Sequence, residues 1–141
     1  MGHIMHSRIE TSFSQQAMMT TLGATLADVR DGQVIITAPI LPSSAQQHGF
    51  GHAGLTFSIG DSAAGYSALT MMAEGQEVLT TEMKINLLAP AMGDYLRATG
   101  KVVKAGKRLV IVTAEVEAIT GDQAITIAIL QGTMVPVNLP S

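Results

Sequence analysis

The segment from His52 to Ala73 decides what this chain can fold into. Its residues are apolar or small on nearly every side, from Ala53, Leu55 and Phe57 through Ile59, Ala63 and Ala64 to Tyr66, Leu69 and Met72. A helix with no polar stripe has to be buried all round. No run of 18 apolar residues occurs, so it is not a membrane span, and the rest of the chain must wrap it. Gly60 and Gly65 weaken the helix intrinsically, and close approach of a sheet or a second helix is the expected reason for their small size.

The flanking segments can supply that wrapping. Thr11 to Leu22 reads as a short helix, capped by Thr11 or Ser12 and ended by Gly23. Thr25 to Val29 and Val34 to Ile40 read as strands, and Asp31-Gly32 between them signals a hairpin. Leu41 to Gly51 is a loop. Beyond Gly75, Leu79, Thr81, Met83, Ile85 and Leu87 fall on one strand face, with Thr80, Glu82, Lys84 and Asn86 on the other. Tyr95 to Lys104, Arg108 to Ala118 and Gln123 to Pro136 follow, with tight turns at Gly106 and Gly121, and an antiparallel meander is expected. The fold class is α+β: a twisted antiparallel β-sheet wrapped around one long central helix. The expected division is a flexible N-terminus over residues 1–10, including residues of cloning origin, and a single domain over residues 11–141.

Composition removes several function classes. Hydrophobic residues make up 47% and charged residues 13%, which leaves too little charge to coat a monomer and points to burial against another copy. The net charge of -3 argues against nucleic acid as a partner. The absence of Cys excludes disulfides, thiolate metal sites and cysteine nucleophiles. His48 and His52 have no third ligand at suitable spacing, so no metal is expected. The chain starts without the basic-then-apolar order of a secretion signal, and the expected compartment is the cytoplasm, with no membrane partner.

Asp61 is the only charged side chain between His52 and Glu74. A carboxylate there is costly unless hydrogen-bonded, paired or at work, and desolvation should raise its pKa and strengthen it as a base. Either it is structural, bonded to Ser58, Ser62 or a loop amide, or it is catalytic. The first turn of the same helix offers unpaired amides at His52, Ala53 and Gly54, a good place for a partly negative oxygen. Gly54 and Asp61 share a helix face but lie roughly 10 Å apart along the axis. One bound carbonyl cannot easily meet both, so a reaction that uses both draws them from two copies of the chain.

His48-Gly49-Phe50-Gly51-His52-Ala53-Gly54 followed by Ile59-Gly60-Asp61-Ser62-Ala63-Ala64-Gly65 resembles the hotdog-fold acyl-CoA thioesterases of the PaaI-like group. Those proteins carry His-Gly-Gly at the start of the central helix and an acid nine residues after the His. The resemblance runs from about Gln46 to Val135 and takes in Lys84 to Ala91 and Gly132-Thr133-Met134. It implies that Asp61 activates water or attacks the thioester, that the Ala53 amide polarises the carbonyl, and that Gln46 stands where relatives use an Asn. It also implies that Thr80 falls near a Ser or Thr that holds the water. The implied substrate is an acyl-CoA, the implied assembly a homodimer or a homotetramer built as a dimer of dimers, and no cofactor is implied beyond the CoA of the substrate.

His52, Gly54 and His48 are candidates for substrate contact. Five of the eight basic residues lie between Arg97 and Arg108, and Lys104, Lys107 and Arg108 among them could hold the phosphates of CoA or simply face water. Two rival functions remain: a hotdog dehydratase or hydratase acting on acyl-CoA or acyl carrier protein, and a non-catalytic acyl-CoA-binding module.

Overall fold

The computed structural model describes residues 2–138, with side chains from residue 7 onward; His3 and His6 therefore lie outside the described side chains. The chain opens with α1 (Gly2–Gln15) and α2 (Ala17–Thr21), then the hairpin β1 (Thr25–Arg30) and β2 (Gln33–Ala38). A 3-10 turn (Pro42–Ser44) leads into the long helix α3 (Ala53–Leu69). Four strands follow: β3 (Gln76–Leu87), β4 (Tyr95–Ala105), β5 (Val110–Thr120) and β6 (Gln123–Asn138). They form one sheet in the order β1-β2-β4-β5-β6-β3, every neighbouring pair antiparallel.

This is the α+β hotdog arrangement, with α3 packed against β2, β3, β4, β5 and β6. Alternation puts Leu96 and Ala98 of β4, Val112, Ala114 and Val116 of β5, and Leu130 and Met134 of β6 into the core beneath the helix. The closest backbone approach is at Gly100 of β4, where a Cβ would sit 2.2 Å from the Ala63 carbonyl carbon. Gly60 answers its expectation, since a Cβ there would come within 3.0 Å of Leu130. Gly65 does not: a Cβ would meet only Met134 at 3.8 Å and Val78 at 4.0 Å, ordinary contact distances.

Three expectations are corrected. The flexible lead-in is helical from Gly2, because Ile9 is fully buried and Arg8 donates to the carbonyls of Met72, Ala73 and Gln76 beyond the end of α3. The single helix from Thr11 is two, broken at Gln16, whose backbone is extended (φ -82, ψ 102). The meander holds for β4, β5 and β6, but β3 pairs with β6 at the far edge, because the chain wraps around α3 instead of folding back beside the strand just laid down.

A fourth correction bears on the site. β3 and β6 slip register between Thr80 and Glu82, leaving Thr81 as the extra residue of a β-bulge. The bulge resets the alternation, so Thr80 turns toward α3 on the side of Val78, Met83 and Ile85, not outward with Glu82 and Lys84. Gly132 makes room for the turn, since a Cβ there would stand 2.4 Å from the Glu82 carbonyl oxygen.

Candidate active site

Asp61 lies midway along α3 and is partly buried. Its partner is none of those expected from its neighbours: the Thr80 hydroxyl donates to Asp61 Oδ1 at 2.8 Å. Burial pushes the Asp61 carboxyl up from its ordinary value of 3.8, and the Thr80 hydrogen bond partly opposes that rise. With Oδ1 engaged, Oδ2 is the free oxygen. Asp61 lines a cleft of about 460 Å³ formed by α1, α3, β3 and the end of β6. An acid with a strengthened basicity and one free oxygen at a cleft suits proton abstraction or nucleophilic attack.

The start of α3 is arranged as an anion site with one donor left open. His52 is the N-cap, extended at φ -65 and ψ 145, and its Nδ1 accepts from the Gly54 amide at 2.7 Å. The amides of Leu55 and Thr56 donate to the His52 carbonyl, and the His52 amide donates to Ser44. Among the described residues the Ala53 amide has no acceptor. It is an exposed donor at the positive end of a 17-residue helix. Gly54 is required for the cap, because a Cβ would lie 2.9 Å from His52 Nδ1.

Gln46 lines the same cavity as His52 and Ala53, about 420 Å³ in volume and closed on the far side by Leu87 and the Ala89-Pro90-Ala91 turn. Its Oε1 accepts from the His48 amide, which leaves Nε2 as the donor end of the side chain. Gln46 and Ala53 thus bring a side-chain amide and an open backbone N–H to one cavity. His48 itself is exposed and contributes its backbone, not its ring, to this arrangement.

The structure joins Asp61 to Thr80 in one cavity and Gln46 to His52 and Ala53 in another, with no residue in common, while Gly54 lines neither and serves the His52 cap. Lys104, Lys107 and Arg108 lie exposed at the β4–β5 tip, outside both cavities, while Arg97 is paired with Glu117 at 2.9 Å. Sequence reasoning missed Ser12, Gln16 and Tyr66, which line the Asp61 cleft from α1, the α1–α2 break and α3. A tyrosine in a run of small residues was the available signal.

The comparisons with known proteins decide the family. The Thioesterase superfamily model matches residues 48–125, which hold the helix start, Asp61 and Thr80. A thioesterase family protein from Silicibacter pomeroyi is 36% identical, with 96% of this chain and 99% of that chain covered and a TM-score of 0.93. The chain belongs to the thioesterase superfamily. The fold is shared with the PaaI protein of E. coli from the phenylacetic acid degradation operon, at 21% identity, 96% and 95% coverage and a TM-score of 0.86. A curated relative of Saccharolobus solfataricus, named as an esterase, is 27% identical over 94 residues, 67% of this chain, and the match spans 66% of that relative's length. Among the described residues of this superfamily member, no helix is long and apolar enough to cross a membrane.

Proposed function

We propose that this protein hydrolyses acyl-CoA thioesters at a site shared by two copies of the chain. The thioester carbonyl oxygen accepts from the Ala53 amide and Gln46 Nε2 of one copy, where helix-end charge stabilises the oxyanion. Asp61 of the other copy takes a proton from water through its free oxygen while Thr80 holds the opposite one. The water oxygen bonds to the carbonyl carbon, the C–S bond breaks, and the CoA sulfur leaves with the proton. The products are the free acid and CoA, and no group is called on beyond the chain and its substrate. The exposed Lys104, Lys107 and Arg108 are assigned to the CoA phosphates.

The observation that carries this reading is the division of labour along α3: a lone open donor at its start and a lone acid in its middle, in separate cavities. The edge strand β3 supports a second copy. It is 12 residues long, has β6 as its only partner among the described strands, and exposes Leu79 and Leu87, with Leu88 just beyond. A His-based hydratase is disfavoured because His52 Nδ1 is occupied as an acceptor, so Nε2 carries the ring hydrogen and cannot act as base. A thiol-release screen across acyl-CoAs tests the proposal, and the protein has no cysteine to contribute background. Acyl-CoA binding without thiol release, or hydration of an enoyl-CoA in its place, overturns it.

A further inference from the structure

We propose that the N-terminal helix closes the Asp61 cleft with a hydrogen-bonding wall that selects acyl groups carrying an oxygen acceptor, with Ser12, Gln16 and Tyr66 as its specificity residues. The inference rests on the thioesterase reading above and names the substrate class of that site.

The wall is a continuous hydrogen-bonded chain. Ser62 Oγ donates to Gln16 Oε1 at 3.2 Å, which fixes the amide so that Gln16 Nε2 donates to the Tyr66 hydroxyl at 3.0 Å. The Tyr66 oxygen accepts there and also stands 3.1 Å from Ser12 Oγ, a contact in which either hydroxyl can donate. The chain ends with spare donors: one hydroxyl hydrogen of the Ser12–Tyr66 pair and the second Gln16 Nε2 hydrogen have no acceptor among the described residues. Ser12 and Gln16 line the cleft, and Tyr66 behind them is 6% exposed. An acyl oxygen entering the cleft completes this network, whereas a plain hydrocarbon leaves it unmatched.

Fastening α1 does not require the network. Ile9 in the core and Arg8 on three carbonyls near the end of α3 already hold that helix. Gln16 sits at the N-cap position of α2 yet makes no side-chain cap, so its amide is spent across the cleft and not on its own helix. Gly65 lines the same cleft with no packing neighbour that forbids a side chain, which leaves space between Asp61 and Tyr66. The rise along α3 from Asp61 to Tyr66 is roughly 7.5 Å, so the selected oxygen lies several bonds beyond the thioester carbon.

The test compares kcat/KM of the intact enzyme for a straight-chain acyl-CoA and for counterparts of equal length with a hydroxyl or keto oxygen near the far end. The expected preference for the oxygenated acyl group is about tenfold, the worth of one well-made hydrogen bond. Tyr66→Phe and Ser12→Ala should each reduce that ratio to about twofold or less. Ser12→Ala sits on a half-buried position and keeps the test decisive where Tyr66→Phe impairs folding. A wild-type ratio near one, or a ratio that neither variant moves, overturns the proposal and leaves the network as a fastening. Failure of the wild type to release thiol from any acyl-CoA instead removes the thioesterase reading itself.

Discussion

The two halves of α3 handle polar groups in opposite ways. At its start the chain satisfies neighbouring amides and leaves Ala53 open, with His52 and Gly54 shaped around that outcome. In its middle the chain keeps a carboxylate among small apolar residues and gives it one hydroxyl, no cation among the described residues and a raised pKa. The first half can stabilise negative charge and the second can create it, and neither can do both. A helix that carries an open donor and a base too far apart to cooperate makes sense when two such helices meet.

Asp61→Asn should produce the largest effect, a fall in turnover of about two to four orders of magnitude, because only the second half loses its chemistry. Stability should move the other way. The folded pKa lies above the unfolded value near 3.8, so this group's contribution is fully present below 3.8 and is lost as pH rises through the folded pKa. At neutral pH the Asn variant should therefore melt above the wild type in a thermal denaturation series.

Ala53→Pro strikes the first half alone. Pro suits the first position of a helix, and His52 already holds the extended backbone that a following Pro demands, so the change deletes one N–H with little strain. Turnover should fall about 100- to 1000-fold. Mixing the two inactive variants sharpens the comparison further. A dimer of one Asp61→Asn chain and one Ala53→Pro chain has one site with both lesions and one with neither. Random co-assembly of equal amounts should return about a quarter of wild-type activity. No recovery after subunit exchange would place both groups in one chain and dissolve the contrast.

Thr80→Val should act more gently, and on pH dependence. It removes the hydrogen bond that holds the Asp61 pKa down while leaving the desolvation that holds it up. The acid limb of the kcat/KM profile should move to higher pH, in the direction in which burial already pushes Asp61. A limb that stays put separates Thr80 from the titration of Asp61.

Thr80 also marks where the sequence stops being legible. The buried helix, the Asp-Gly hairpin, the three C-terminal strands and the Asp61 signal all rest on local patterns, and local patterns survive into the structure. The facing of Thr80 rests on a bulge that simple alternation cannot register, and the room for it comes from Gly132, 52 residues away in the chain. The Asp61 cleft wall was hidden for a similar reason. Ser12 and Gln16 look like ordinary helix-surface residues until the break at Gln16 turns them toward Tyr66, some 50 positions later. Strand order was equally opaque, because the pairing of β3 with β6 is set by closure around α3 and not by any nearby turn.

The smallest expected effect falls on Gly65. Glycine inside a helix costs about 1 kcal/mol relative to alanine, and at Gly60 the contact with Leu130 accounts for that cost. At Gly65 the nearest atoms to an added Cβ stand at 3.8 and 4.0 Å, so packing in this chain gives no reason to forgo it. Gly65→Ala should raise stability by up to about 1 kcal/mol, read in urea denaturation. It should also narrow the Asp61 cleft and lower kcat/KM for bulky acyl groups more than for acetyl. A stabilised variant with an unchanged acyl profile would show that the glycine leaves no functional space, whereas destabilisation would point to a second helix packed on that spot.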